Sequence, residues 1–423
     1  MFSSLLAVYA SFGLRYVAPL IALPYLANTL SSSTLAIYLT VQSIGLMGGA
    51  GIEYGFGMWA SRELAGAHAA SEVSTIAAGV LSAQALLILI VCPVVIAAAI
   101  LTPGLSVIAA LASGALAIVS GFSPAWYFQG RLQAQWGALI ECAAALAYLG
   151  LLLLLVHSST DLPQALASMV LGPAIAYSIG LLQVLRETKI RCFRADLGWA
   201  CIRVAFTMFS TRAAVLVYTS TSTWMMFVLG DPTATAQYGI ANRLAGPVLG
   251  LYAPLAQVLL PRFHRRALAL GSLTPVEGIA FVGILEVSAA IAIAACHFFS
   301  HFFTTKILMI PVPGVAEAVN GLSWMLLPIA ASQALVLYFI LPNKKEAWNL
   351  RSILAGAGIF VLAAPPLVLH HAVTGMILAR LLGETTVTAG LLIGSILVWR
   401  SSRVVVHQDP PGVPAPSGAV RGD

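Results

Sequence analysis

Charged residues are scarce in this chain. Asp, Glu, Lys and Arg make up only 9% of its 423 residues, and apolar residues make up 60%. A typical soluble domain carries about 25% charged residues. The composition therefore excludes an ordinary soluble protein and indicates a chain that crosses a membrane several times.

Reactive and cofactor-binding motifs are equally scarce. No lysine follows a glycine, which excludes a Walker A loop, and no HExxH motif is present. The cysteines are scattered without a CxxC pair, so neither a disulfide framework nor a zinc site is indicated. No cofactor is expected. The five cysteines are Cys92, Cys142, Cys192, Cys201 and Cys296.

Two histidines have a spacing that metal sites use, His297 and His301. No third ligand accompanies them, and their segment HFFSHFF is typical of an aromatic belt at a membrane interface. The N-terminus lacks the basic region of a cleavable signal peptide, and Arg15 interrupts its apolar stretch. We therefore expect neither a metal site nor a cleaved signal.

Twelve apolar stretches are long enough to cross a bilayer as helices, and none alternates like a membrane strand. The sequence thus predicts an all-α integral membrane protein. The twelve spans are Leu5–Leu26, Ala36–Phe56, Thr75–Leu101, Leu105–Tyr127, Ala138–Val156, Ala165–Leu185, Phe206–Leu229, Ala236–Leu259, Val276–Phe299, Val315–Phe339, Leu350–Leu369 and Gly375–Trp399.

The basic residues orient these spans. With a cytoplasmic N-terminus, sixteen of the 21 Lys and Arg lie in cytoplasmic loops or the tail, and only Lys306 lies in an opposite loop. This bias predicts that both termini are cytoplasmic. The positive net charge then reflects topology, and nucleic acid is not an expected partner.

The two halves of the chain repeat each other. Tyr38 and Gln42 in the second span correspond to Tyr238 and Asn242 in the eighth, and an arginine follows each pair at the same spacing. A duplication of six spans predicts two six-helix lobes around a central cavity. The expected units are an N-lobe (1–185), a cytoplasmic linker (186–205), a C-lobe (206–400) and a disordered tail (401–423).

Four arginines lie within predicted spans: Arg15, Arg212, Arg243 and Arg380. A guanidinium at bilayer depth is costly, so it is functional, paired with an acid, or reaches the interface. The available acids are Glu53, Glu286 and Glu384. Arg15 is too deep to reach the interface easily, and its own span holds no acid.

Other polar groups within the spans are candidates for a cavity lining. Gln42, Asn242, Tyr218 and the hydroxyl run Thr219–Thr223 could bind a polar cargo, although hydroxyl runs also serve helix packing. Prolines in the first and eighth spans permit bending. Glu53 and Glu286 are candidate ion-coupling sites, and the alternative is a structural pairing with arginines.

Several segments resemble bacterial polysaccharide (O-antigen, Wzx-type) flippases of the multidrug/oligosaccharidyl-lipid/polysaccharide exporter superfamily. The segment SPAWYFQGRLQ at Ser123–Gln133 resembles the pattern that ends their fourth span. The segment Gln237–Phe263 resembles their seventh-to-eighth span region, where a Tyr-x-x-Ala-x-Arg element precedes a long helix that ends in Pro-Arg. One departure is NTLSSSTLAIY, which replaces the usual Leu-Gly-Pro turn between the first two spans.

This resemblance implies transport without enzymatic chemistry. The implied cargo is undecaprenyl-pyrophosphate-linked oligosaccharide, moved from the cytoplasmic to the periplasmic leaflet of the inner membrane for O-antigen or exopolysaccharide assembly. Arg15, Arg212, Arg243 and Arg380 would bind the pyrophosphate, since guanidinium groups bind phosphate oxygens through a planar fork. Gln42 and Asn242 would contact substrate, and a polysaccharide polymerase and a chain-length regulator are possible partners.

Rival functions fit the residues less well. A multidrug or cation antiporter of the same superfamily needs buried carboxylates, whereas the first and seventh spans carry arginine and no acid. A membrane glycosyltransferase, polymerase or ligase needs catalytic groups on a substantial loop, and the loops are short. Lipid II flippase activity is disfavoured by twelve spans, because the resemblance implies fourteen for that class.

Overall fold

The computed structural model describes residues 18, 20–190, 192–250, 252, 259, 263, 275–343 and 345–406. Within these residues the chain is helical and contains no strand. This confirms the predicted all-α membrane fold. We refer to α1–α8 as the N-lobe and to α9–α16 as the C-lobe.

The N-lobe begins with a short apolar helix and continues through seven more. Two of the breaks between its helices fall inside long apolar helical stretches, because Ser32–Gly66 contains both α2 and α3 and Val107–Gly130 contains both α5 and α6. The helices are α1 (Leu20–Thr29), α2 (Ser32–Glu53), α3 (Phe56–Gly66), α4 (Ala70–Ile100), α5 (Val107–Gly121), α6 (Ala125–Gly130), α7 (Ala134–Leu155) and α8 (Leu162–Thr188).

The C-lobe repeats this pattern of long and broken spans. The helices are α9 (Ala195–Thr219), α10 (Thr221–Leu229), α11 (Pro232–Leu249), α12 (Pro275–Phe302), α13 (Val315–Ser323), α14 (Leu326–Leu335), α15 (346–371) and α16 (373–406). Short π-helical turns extend α12 over Phe303–Ile307 and α14 over Val336–Ile340.

The helices match the predicted spans in order and spacing. Eight stretches of the described residues are long and apolar enough to cross a bilayer, and the last of them, Glu346–Trp399, contains both α15 and α16. The seventh span corresponds to α9–α10, and the described parts of the first and eighth spans correspond to α1 and α11. Most of the first span and the end of the eighth lie outside the described residues. Large apolar side chains such as Leu101 and Phe298 are about four-fifths exposed, as lipid-facing residues are.

Two breaks have a clear backbone origin. Tyr54 and Gly55 both adopt positive φ angles, of 52° and 79°, so α2 ends and α3 starts in a new direction. The Glu53 carboxylate accepts hydrogen bonds from the backbone N–H groups of Gly55 (3.2 Å) and Gly57 (2.7 Å), which satisfies donors at the start of α3. Ala372, with a φ of 45°, separates α15 from α16.

The SPAWYFQG segment anchors the N-lobe. Trp126, Tyr127 and Phe128 are buried, and the Tyr127 hydroxyl donates a 2.8 Å hydrogen bond to Glu187 in α8. The carboxylate of Glu141 in α7 accepts a hydrogen bond from the hydroxyl of Ser123 (2.7 Å) and another from the hydroxyl of Tyr177 in α8 (2.8 Å). The residues that carry the sequence resemblance thus tie three helices together.

The loops lie at two opposite ends of the helix bundle. Thr34 bonds to the carbonyl of Ser159, which places the α1–α2 and α7–α8 loops at one end, together with the α10–α11 turn at Asp231. Ser74 bonds to the carbonyl of Thr188 at the other end, where the α8–α9 linker contains Arg194. We call these the Asp231 end and the Arg194 end.

Candidate functional site

A cavity of about 430 Å³ with a mixed polar and apolar lining lies inside the C-lobe. Its walls come from α9, α11, α14, the π-helical turn after α14, α15 and α16. It runs from Arg380 and Asn242, near the middle of the bundle, to Asn349 in the first turn of α15, toward the Arg194 end. The lining residues are Val215, Tyr218, Thr219, Asn242, Gly246, Leu249, Gly250, Ile329, Ser332, Gln333, Val336, Asn349, Ile353, Arg380, Glu384, Val387 and Leu391.

Arg380 provides the cation in this lining. Its side chain is 97% buried, with a relative exposure of 3%. Its Nη1 donates to the amide oxygen of Asn242 at 2.6 Å and to the hydroxyl of Tyr238 at 3.2 Å. Its Nε has no hydrogen-bond partner among the described residues. The guanidinium thus has a donor without a protein acceptor and belongs to a residue that lines the cavity, and guanidinium groups bind anionic oxygens strongly.

A carboxylate shares the cavity with this guanidinium. Glu384 lies one helical turn after Arg380 on α16 and is also buried. It interacts electrostatically with Arg380, and the hydroxyl of Tyr218 in α9 faces its carboxylate. The described lining therefore contains one cation and one carboxylate, on the same helix face.

Helical spacing explains why these residues meet. Arg380 and Glu384 are four residues apart on α16, as Tyr238 and Asn242 are on α11, and residues with this spacing share a helix face. Both members of the α11 pair contact Arg380. The predicted substrate residues Arg380 and Asn242 are thus brought together by the structure.

Arg243, the neighbour of Asn242, points to the other lobe. Its Nε donates a 2.7 Å hydrogen bond to the side-chain oxygen of Gln42 in α2. Its Nη2 donates to the carbonyl of Leu39 in α2 at 3.2 Å, and its Nη1 to Gly239 in its own helix at 3.0 Å. The predicted substrate residues Arg243 and Gln42 are therefore bonded to each other and join the two lobes.

Further contacts join the lobes from the bundle centre to the Asp231 end. Ser43 in α2 bonds to the carbonyl of Ser220 at the α9–α10 junction. The indole of Trp224 donates to Thr102 at 2.9 Å. At the Asp231 end, the side chain of Asn28 donates to the carbonyl of Met309 at 3.0 Å. The lobes also touch toward the Arg194 end, where the ring of Phe209 in α9 stacks on that of Tyr54 with the ring centroids 4.0 Å apart.

The two carboxylates predicted for ion coupling lie away from the cavity. Glu53 caps the start of α3, as described above. Glu286 on α12 is partly buried and accepts a hydrogen bond from the backbone of Ala331 in α14. Neither residue belongs to the cavity lining.

Two of the predicted arginines lack a described side chain. Arg15 lies outside the described residues, and for Arg212 the structure describes the backbone in α9 but not the side chain. Their predicted contact with substrate stays a prediction. Sequence reasoning missed Glu384 as a site residue and considered it only as a partner for arginines. Its spacing of four residues from Arg380 was the available signal.

The sequence matches a known family and named relatives. Residues 3–266 match a family model described as polysaccharide biosynthesis protein. A Shigella dysenteriae protein named as a candidate O-antigen transporter is 24% identical over 406 residues, which cover 93% of this chain and 99% of that protein. A protein with the same name from Escherichia coli strain K12 is 27% identical over 260 residues, covering 59% and 61% of the two chains.

Solved transporter structures share the fold. An inward closed structure of the lipid II flippase MurJ superposes with a TM-score of 0.66 at 11% identity, over 96% of this chain and 94% of that chain. An inward-facing multidrug resistance MATE family transporter of the MOP superfamily gives 0.64 at 13% identity, over 93% and 100%. These similarities concern the fold, with its two helical lobes.

Proposed function

Because the chain belongs to the polysaccharide biosynthesis protein family, we propose that it moves undecaprenyl-pyrophosphate-linked oligosaccharide from the cytoplasmic to the periplasmic leaflet of the bacterial inner membrane. Its relatives are named as O-antigen transporters, and transporters rather than enzymes share its fold. The product would feed O-antigen or exopolysaccharide assembly, where a polymerase and a chain-length regulator are candidate partners.

The observation that carries this proposal is the buried guanidinium of Arg380. A diphosphate carries its charge on several oxygens, and a guanidinium presents donors in a fork that fits two of them. Arg380 lines the cavity with its Nε unsatisfied, and Asn242 fixes the other side of the group. We assign pyrophosphate binding to Arg380 and Asn242, with Arg15 and Arg212 as further predicted contacts.

The rest of the lining suits a sugar. Gln333, Asn349, Ser332 and Thr219 present amide and hydroxyl groups between apolar walls. Sugar hydroxyls both donate and accept hydrogen bonds, as amide and hydroxyl side chains do. A cavity with these groups accepts a polar, uncharged moiety beside the diphosphate.

Alternating access requires contacts between the two lobes to break and to form again. Gln42 and Arg243 join the lobes near the middle of their helices. At the Arg194 end the backbone N–H of Arg194 donates to the hydroxyl of Ser82 at 3.0 Å, so the lobes also touch there. The C-lobe cavity reaches Asn349 near that end. Loops at the Arg194 end are rich in Arg and Lys, which supports a cytoplasmic location for that end. We propose that this state loads cargo from the cytoplasmic side and that separation of α2 from α11 releases it.

A strain that lacks this protein tests the proposal. We expect undecaprenyl-pyrophosphate-linked repeat units to accumulate in the deletion strain and to clear when the wild-type chain is restored, measured by mass spectrometry of extracted lipids. Arg380→Ala should fail to clear them and Arg380→Lys should restore partial export, because lysine keeps the charge but loses the fork. Arg351→Ala, which removes an exposed arginine from α15, is the matched control.

Two results would overturn the proposal. The first is a deletion strain in which lipid-linked repeat units do not accumulate. The second is a normally inserted Arg380→Ala protein that exports polysaccharide at the wild-type rate, which would remove Arg380 from the mechanism. A gain of drug sensitivity in the deletion strain without lipid accumulation would instead favour the multidrug antiporter function.

A further inference from the structure

We propose that Glu384 is a proton-linked placeholder for the diphosphate, a role that rests on the proposed function of the cavity. In the empty cavity the ionised carboxylate balances the guanidinium of Arg380. When a diphosphate binds Arg380, Glu384 takes up a proton from cavity water and becomes neutral. When the diphosphate leaves, the proton returns to water and the carboxylate again balances Arg380.

The charges in the cavity favour such an exchange. Glu384 faces two groups, the guanidinium of Arg380 on its own helix α16 and the hydroxyl of Tyr218 on α9. On α11, Asn242 and the hydroxyl of Tyr238 accept hydrogen bonds from Arg380. In the described residues, α14 and α15 contribute amide, hydroxyl and apolar groups to the lining but no charge. Arg380 and Glu384 are therefore the charged pair that an incoming anion meets.

An ionised Glu384 and a diphosphate cannot share Arg380 at low cost. Like charges a few ångströms apart repel strongly in a partly dehydrated site, and the carboxylate relieves the repulsion by binding a proton. Without any anion, the buried guanidinium would lack a counter-charge, which is unfavourable as well. Arg380 thus favours one anion at a time, either the Glu384 carboxylate or the diphosphate. Protonation of Glu384 allows the diphosphate to take its place.

The linkage has a definite sign. If binding takes up one proton at Glu384, lower pH favours binding. In the pH range where Glu384 is ionised in the free protein, the affinity falls by up to about tenfold for each unit by which the pH rises. The diphosphate's own ionisation acts in the opposite direction, because a more highly charged ligand binds a guanidinium better. A comparison of the wild type with a Glu384 variant separates the two effects, because both proteins bind the same ligand and the ligand's ionisation affects both equally.

Isothermal titration calorimetry of the purified full chain in nanodiscs tests this. The probe is farnesyl diphosphate, with farnesol as the same tail without the diphosphate. Titrations in buffers of different ionisation enthalpy count the protons taken up on binding. The protein variants are Glu384→Gln, which mimics the protonated state, and Glu286→Gln, which removes a partly buried carboxylate outside the cavity.

We expect Glu384→Gln to bind farnesyl diphosphate at least tenfold more tightly than the wild type at pH 8, with about one proton fewer taken up. Glu286→Gln should keep the wild-type proton uptake. Equal proton uptake by the wild type and Glu384→Gln, with diphosphate binding intact, overturns the placeholder role and leaves the proposed function standing. Equal binding of farnesol and farnesyl diphosphate by the wild type overturns the diphosphate site itself.

Discussion

Arg243 in α11 and Gln42 in α2 are bonded to each other at 2.7 Å across the two lobes, about 15 Å along each helix from its start at the Asp231 end. The same guanidinium also reaches the carbonyl of Leu39. The two residues were expected to contact substrate, and in this state their polar groups are engaged with each other. Either residue would have to leave this pairing before it could contact a substrate.

Removal of this contact should open the lobe interface. A hydrogen bond to a charged group contributes roughly 1.5–3 kcal/mol, so Arg243→Ala should shift the balance between closed and open states about tenfold or more toward the open state. Spin labels at Ser33 and Thr233, which are exposed at the starts of α2 and α11, report the separation by electron double resonance. We expect a longer distance to gain population.

Gln237→Ala is the matched control for this experiment. Gln237 also lies on α11, but its side chain donates to the carbonyl of Gly314 within the C-lobe at 2.8 Å. Its loss should leave the distance between the labels unchanged. An unchanged distribution in Arg243→Ala as well would mean that this contact does not hold the lobes together.

Gly172 should be intolerant of substitution, in contrast to Gly150. A Cβ at Gly172 in α8 would lie 2.4 Å from the backbone of Tyr148 in α7, whereas a Cβ at Gly150 would meet nothing within 4 Å. Gly172→Ala therefore forces the two helices apart, and we expect a loss of about 1–3 kcal/mol. Gly150→Ala should be neutral or slightly stabilising, because alanine favours a helix. Thermal unfolding in detergent compares the two variants, and equal midpoints would contradict the close packing.

Much of the fold was predictable because membrane helices carry their own signal. Each span needs about 20 apolar residues, and hydropathy locates them without knowledge of the packing. The π-helical turns at Phe303–Ile307 and Val336–Ile340 were not predictable, because their residues resemble those of the neighbouring helical turns. The helix break at Tyr54 was not predictable from the sequence either, because tyrosine rarely adopts a positive φ.

The sequence predicted which residues belong to the site better than it predicted which residues they contact. Consecutive helical residues point about 100° apart, so Asn242 faces the C-lobe cavity while Arg243 faces α2. The sequence identifies both as polar groups within a span, but only the packing of α11 between the two lobes assigns each to a different partner. The same packing places Glu384 in the cavity and Glu286 outside it.

The predicted orientation can be tested by cysteine labelling. Ser159 and His370 should react with an impermeant thiol reagent added outside the cell, and Arg186 should not, after each is replaced by cysteine in a chain without its native cysteines. All three side chains are exposed in the structure, so burial does not limit their labelling. Labelling of the Arg186→Cys chain from outside would reverse the assignment of the Arg194 end to the cytoplasm.

Asn242→Asp should block the anion site without disturbing the fold. The change keeps the shape of the side chain but puts a carboxylate 2.6 Å from the Nη1 of Arg380. This second carboxylate would hold the guanidinium and repel a diphosphate, so we expect farnesyl diphosphate to bind on the order of ten- to a hundredfold more weakly. Adding Glu384→Gln restores a single carboxylate beside Arg380, and the double variant should recover most of the lost affinity. Calorimetry measures the affinity of the wild type, Asn242→Asp and the double variant for farnesyl diphosphate. If the double variant does not recover the lost affinity, Asn242 acts through its amide donor and not through the charge at Arg380.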